Sequence, residues 1–216
     1  VETKCPGVVS CADIIALATR DGVALAGGPQ YSLPTGRRDG TISSINDVNL
    51  PGPSSLVSDA AAAFSAKGLS ISEMVTLLGA HTVGNSLCSF FSDRLYSFQG
   101  SGTADPSMDP TLVVKLKKVC PSPTSSSTQD PNVFLDQNTS FIFDNSYYKQ
   151  LQLKRGILQI DQELASDKTT KNTVTSFAAN GNVFSKSFVA AIIKMGNIQV
   201  LTGNNGQIRK NCRAVN

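Results

Sequence analysis

The strongest constraint on the fold is a capping box that runs into a helical apolar period. Ser70-Ile-Ser-Glu73 sets a hydroxyl and a carboxylate three residues apart, where each can satisfy a free amide of a first helical turn. Met74, Leu77, Leu78 and His81 then fall at i, i+3, i+4 and i+7. The spacing therefore predicts a helix that carries the only histidine of the chain on its core-facing side and stops at Gly84. Ser10-Cys-Ala-Asp13 has a similar opening before Ile14, Ile15, Leu17 and Ala18, and Asp21-Gly22 is expected to weaken that helix. Alanine-rich sequence between Ser55 and Gly68 predicts another helix, closed by the glycine. Further helical patterns run from Pro110 to Val119, Asn145 to Leu153, Thr169 to Ala179 and Ser185 to Met195, the last closed by Gly196. Strand signals are few. Turn-rich loops fall at GGP 27–29, NLPGP 49–53 and PSPTSSST 121–128, the last either a separator of two lobes or a surface connection within one domain. The expected architecture is mostly helical with long, tied-down loops.

A chain of 216 residues with 40% apolar and 16% charged residues can bury one good core or two small lobes, and it is not a disordered tail. Nineteen basic residues against 16 acidic ones are spread along the chain, and the densest run, KLKK at 115–118, reads as a solvated helix face. Neither a nucleic-acid nor a membrane partner is implied. Apolar runs are interrupted by charge or glycine well short of a membrane span, and Val1-Glu-Thr-Lys is neither an initiating Met nor a signal peptide. The five cysteines, at 5, 11, 88, 120 and 212, lack the close pairs of zinc sites and suit disulfides made in an oxidising compartment. An odd thiol remains, as a free cysteine, an intermolecular bridge or one whose partner lies upstream.

A lone histidine on an apolar helical face is usually a packed core residue. Gly79 and Ala80 just before it would let a large flat group approach, and Thr82 just after it offers oxygens to a second ligand. With no other histidine in the chain, a multi-histidine metal cluster is excluded, whereas a haem iron needs a single protein ligand below its plane.

MVTLLGAHTVGNSLC resembles the proximal-histidine motif of class III plant peroxidases. CPGVVSCADIIALATRDGVALAGGP, LPTGRRDG, NLPGP, FDNSYY, GILQIDQEL, SDKTT and MGNIQVLTGNNGQIRKNCR are similar to blocks of that family in the same order. The resemblance implies a mostly α plant haem-peroxidase fold, incomplete, with the proximal lobe and part of the distal lobe in one domain over residues 1–216. It implies haem b held by His81, with Asp161 accepting the proton of the other ring nitrogen and making the ligand more electron-rich. It further implies calcium bound by Thr82, Asp136, Thr139, Ile142 and Asp144, a set of hard oxygens. Cys11 is expected to pair with Cys212 and Cys88 with Cys120, while Cys5 matches a cysteine bonded toward the N-terminus. Asp13 and Arg37 match a buried ion pair, and Pro51 and Phe90 match positions where aromatic donors dock.

The implied activity is oxidation of small phenolic donors by hydrogen peroxide, with roles in peroxide removal and the oxidative-stress response. The family's distal RLHFHDC-type motif is absent, so the chain is expected to be N-terminally truncated and to turn over little peroxide itself. The alternatives are a non-catalytic haem- or calcium-binding remnant and a helical structural protein whose histidine is core. The protein is expected to be a secreted monomer of the cell wall or apoplast, and Asn138-Thr139-Ser140 is a potential glycan acceptor.

Overall fold

The computed structural model describes residues 1–122 and 129–216; the serine-rich run at 123–128, and with it the question of a lobe separator, lies outside the described residues. The chain is mostly α and divides into two compact units, Val1–Leu50 with Val189–Asn216, and Pro51–Phe188.

In the first unit, α1 spans Cys11–Leu25. Its opening amides are satisfied from two sides: Ser10 Oγ accepts from the Asp13 N–H, and the Asp39 carboxylate accepts from Cys11 and Ala12 at 3.0 and 2.9 Å. Asp13 does not return to its own cap. Its carboxylate accepts instead from the Gly36 amide at 2.7 Å and from Arg37 Nη1 at 3.0 Å, both side chains of the ion pair being buried. α1 runs through Asp21-Gly22, where the sequence predicts weakening; a mid-helix glycine costs only about 1 kcal/mol, and Val23 beyond it is buried. Asp39 also accepts from the Arg209 amide, and bridges pair Arg38 with Leu201 and Asp39 with Gln207. With the Cys11–Cys212 disulfide, these bonds fasten the start of α1 to the C-terminal segment.

The second unit opens with α2 (Val57–Ser65), closed at Gly68 in the left-handed region, and α3 (Ile71–Leu78), whose Ser70–Glu73 capping box is complete in both directions. α3 ends three residues before His81, and Gly79–Val83 wind as a 3₁₀ helix. The cause is Tyr148, whose hydroxyl donates to the carbonyl of Val75 at 3.0 Å, the acceptor that an α-helical Gly79 N–H would use. The Gly79 amide turns to Thr76, one residue nearer. Nor does Gly79 clear a path for a flat ligand: a Cβ there would sit 2.1 Å from the Tyr148 hydroxyl and 2.6 Å from the Phe184 ring, so the glycine admits those aromatics instead.

Strand β1 (Asn85–Leu87) pairs antiparallel with β2 (Asn132–Phe134), Ser86 opposite Val133, and the Cys88–Cys120 disulfide follows directly. α4 (Ser92–Tyr96) is a short helix that no cap or period announces, whereas α5 (Pro110–Lys117) has Asp109 as its cap and Pro110 in its first turn. The three lysines of KLKK face solvent as the sequence predicts, while Leu116 between them is buried. α6 (Ser146–Gln152) packs on α7 (Gln159–Ser166) and α8 (Lys171–Ala179). α9 (Gly181–Met195) starts four residues before Ser185 because Asn180 Oδ1 accepts from the amides of Asn182 and Val183. Phe143, Tyr147, Tyr148, Phe177, Phe184 and Phe188 form the aromatic core of this unit, with neighbouring centroids such as Phe143 and Phe188 at 4.7 Å.

Two buried aspartates tie the units internally and give a pH signature. Asp39 loses solvation on burial, but its three backbone donors and Arg209 outweigh that and hold its carboxyl below the ordinary value. Asp105 behaves likewise, its burial outweighed by Ser107 and by Arg94, whose Nε lies 2.8 Å away. Groups with depressed folded pKa values stabilise the fold above the unfolded aspartate pKa of about 4, and this contribution is lost as pH falls through their lower folded values. Denaturant midpoints measured from pH 7 downward should hold until about pH 4 and then fall, and Asp39→Asn should lower the neutral plateau while flattening the acid limb. An acid limb unchanged by Asp39→Asn would contradict the assignment.

Candidate functional site

His81 projects from the 3₁₀ turn after α3, and Asp161 lies in the first turn of α7. The His81 Nδ1 to Asp161 Oδ1 distance is 3.0 Å. A carboxylate only accepts here, so Nδ1 carries the proton and Nε2 keeps the lone pair for a ligand. The Asp161 side chain is 1% exposed and that of His81 29%, so the carboxylate is sealed in while part of the imidazole is reachable. Burial pulls the imidazole pKa down, and the charge and hydrogen bond of Asp161 outweigh it, leaving the net shift upward.

α7 has no side-chain cap of its own, which is why no start signal marks it. Its amides find distant partners instead: Ile160 N–H donates to the Pro53 carbonyl at 3.1 Å, within the NLPGP loop, and Glu163 on the same helix accepts from the Val57 amide at 3.3 Å. The turn before α7 is held by Arg94, whose Nη1 donates to the carbonyls of Gly156 and Ile157 at 2.9 and 2.7 Å from a fully buried position. Gly156 in turn donates to Gln162 Oε1, and a Cβ on it would meet Gln162 backbone at 3.0 Å. These contacts fix where Asp161 points.

One further residue belongs to the site. The Tyr147 hydroxyl donates to Asp161 Oδ1 at 2.7 Å, the same oxygen that His81 uses, while Asp161 Oδ2 is buried without a hydrogen-bond partner among the described residues. Burial first, and the Asp161 charge second, push the Tyr147 phenol well above the ordinary tyrosine value, so it stays a neutral donor. The FDNSYY motif contains this residue, but no spacing argument links it to a carboxylate fourteen positions on.

A second cluster adjoins the first. The β1–β2 ladder is extended by the Leu135 amide donating to Gly84 at 2.9 Å, which sets Thr82 against Asp136. Thr82 Oγ1 lies 3.4 Å from each of Asp136 Oδ2, the Ile142 carbonyl and Asp144 Oδ1, and Thr139 Oγ1 lies 3.1 Å from the same two carboxylate oxygens. One hydroxyl proton cannot serve three equidistant acceptors. Oxygens about 2.4 Å from a shared centre at right angles are about 3.4 Å apart, so the spacing is that of a cage able to hold a hard cation. Among the described residues neither carboxylate has an ion-pair partner, and no three His, Cys, Asp or Glu side chains converge, so such a cage depends on its hydroxyl and carbonyl oxygens.

Of the remaining positions, Phe90 is exposed and Pro51 half-buried, and neither shares a hydrogen bond or ring contact with His81 among the described residues. Cys5 is a free, exposed thiol. Asn138 is exposed, with its Nδ2 donating to Ser146 Oγ at 3.3 Å.

A mostly helical chain with one reachable imidazole, braced from behind by a buried carboxylate, is equipped to give a single axial ligand to a metal whose other ligands come from elsewhere. A family model described as Peroxidase matches residues 1–180. Similar proteins from Arabidopsis thaliana include Peroxidase 57, 52% identical over all of this chain and 67% of its own length, and Peroxidase 44, 50% identical over all of this chain and 66% of its own. Probable peroxidase 61 of the same plant is 46% identical, again over the whole of this chain and 64% of its own length. The chain belongs to the peroxidase family, in its plant class III branch. It spans about two thirds of the length of these curated relatives.

Proposed function

We propose that this chain is the haem-holding portion of a hydrogen-peroxide-dependent peroxidase of small phenolic donors, with His81 as the axial ligand of haem b. The observation that carries the reading is the 3.0 Å bond from His81 to a carboxylate that is itself sealed from water. Asp161 keeps the imidazole in the tautomer with Nε2 free, restrains its rotation, and raises its basicity toward a metal. Haem, when bound, supplies the redox centre through which peroxide is reduced and donors are oxidised. We read both compact units as parts of one peroxidase domain, supported by a family match that runs through residues of each.

Thr82, Asp136, Thr139, Ile142 and Asp144 are read as calcium ligands. Their support is the set of oxygen spacings and the two carboxylates brought together without a cationic side chain. Because Thr82 directly follows His81, an ion there restrains the imidazole through the backbone. Pro51 and Phe90 are assigned to donor docking, and the exposure of Phe90 suits that role. Two disulfides support the secretory route and a cell-wall or apoplastic location, with the protein a monomer that acts in peroxide removal under oxidative stress.

The 216 residues contain one histidine, so with His81 committed below the haem no second imidazole can move the proton between the peroxide oxygens. This favours a second reading, in which the chain by itself binds haem without appreciable turnover. Reconstituted with haemin, the chain should show a Soret band that survives gel filtration and disappears in His81→Ala; a band retained in that variant, or absent throughout, contradicts the haem assignment. Guaiacol oxidation far above free haemin would overturn the second reading, and activity close to that of free haemin would support it. Calcium at 100 times its dissociation constant should stabilise the fold by about 2.7 kcal/mol. Chelation should therefore lower Tm, and Asp136→Asn should abolish the calcium response; a Tm indifferent to calcium in the unmodified chain contradicts the calcium assignment.

A further inference from the structure

We infer that Tyr147 is a positioning residue that sets the strength of the His81–Asp161 hydrogen bond by competing with His81 for the same carboxylate oxygen. This deepens the haem-ligand reading above and rests on it for functional meaning, although the hydrogen-bond competition itself is a property of the chain alone.

Both donors meet Asp161 at Oδ1, Tyr147 Oη at 2.7 Å and His81 Nδ1 at 3.0 Å, while Oδ2 has no hydrogen-bond partner among the described residues. Two donors on one oxygen draw on the same lone-pair density, so each weakens what the other can receive. Water does not share the load, because Asp161 is 0% and Tyr147 1% exposed. The tyrosine cannot readily swing away: its ring meets the Tyr148 ring edge-on at 5.0 Å and the His81 ring edge-on at 6.0 Å. Its anchor is α6, which packs directly on α7, the helix that bears Asp161. The phenol thus holds back part of the carboxylate's basicity, and the imidazole receives only the remainder. With a metal on Nε2, a stronger pull at Nδ1 makes the imidazole more anionic and favours the oxidised metal; Tyr147 opposes that pull.

Tyr96 provides an internal comparison. Its hydroxyl donates to the Cys120 carbonyl at 2.7 Å and not to Asp161. Loss of that hydroxyl removes a tertiary hydrogen bond without touching His81 or the carboxylate.

His81 is the only histidine, so labelling histidine with nitrogen-15 makes this one hydrogen bond readable in the full chain without haem. At alkaline pH the Nδ1 proton should be visible as the sole ring N–H signal. Tyr147→Phe should move it downfield, as His81 gains a stronger acceptor, whereas Tyr96→Phe should leave it in place. Global replacement of tyrosine by 3-fluorotyrosine, a stronger donor of nearly the same size, should move it upfield, which keeps the inference testable if Tyr147→Phe fails to fold. In the haemin-loaded chain, Tyr147→Phe should shift the Fe(III)/Fe(II) midpoint potential negative and Asp161→Asn should shift it positive. An unmoved or upfield signal in folded Tyr147→Phe, an equal shift in Tyr96→Phe, or no upfield movement with 3-fluorotyrosine overturns the inference. Failure of haemin binding with the predicted proton shifts intact would overturn the haem reading and leave the competition at Asp161 standing.

Discussion

The structure around the site depends on one hydrogen bond, between an imidazole on a 3₁₀ turn and a carboxylate eighty residues later in the chain. Burying a carboxylate is costly unless its charge is met, and among the described residues Asp161 is met by two donors at one oxygen and none at the other. Such a group holds its place only if the backbone on both sides is over-determined. On the histidine side, Tyr148 captures the Val75 carbonyl, shortens α3 and forces the 3₁₀ turn that carries His81. On the aspartate side, the Pro53 carbonyl takes the Ile160 amide and Arg94 grips the carbonyls of Gly156 and Ile157 just before α7. Removing one of these supports would reorient a buried charge, not merely loosen a loop.

The oxygen cluster beside the histidine is built by different means. A three-residue ladder, continued by Leu135 onto Gly84, brings the chain after His81 alongside the chain before Asp136. Thr82 and Asp136 are both fully buried, so the two oxygen-rich stretches meet out of water and adjacent to His81. An ion held there and an imidazole one residue away share a backbone. Order in one would thereby be order in the other.

Much of this was legible in the residues themselves. Ser70 and Glu73 announce α3, Ser10 announces α1 and Gly68 closes α2, because caps act locally and their chemistry sits within three or four residues. Family motifs picked out His81, Asp161, the oxygen-rich residues and the cysteines, and the structure brings His81 to Asp161 and Cys11 to Cys212. The features that stayed hidden were set from a distance. α7 starts on a carbonyl from residue 53, α4 is organised around a buried arginine whose partners lie at 105, 156 and 157, and the change from α to 3₁₀ before His81 comes from a tyrosine at 148. Gly79 shows the same limit: its small size suggested space for a ligand, and the space is filled by Tyr148 and Phe184. Tyr147 meets Asp161 only once α6 has packed on α7, a contact that no local spacing announces.

The most direct test of the central relationship, an imidazole at 81 that gives Nε2 to iron while Asp161 pulls on Nδ1, is the iron–histidine stretching band in the resonance Raman spectrum of the reduced, haemin-loaded chain. The band should be present, vanish in His81→Ala, and move to lower frequency in Asp161→Asn as the imidazole loses electron density. A band that survives without His81, or one whose frequency ignores the loss of the Asp161 charge, would contradict it.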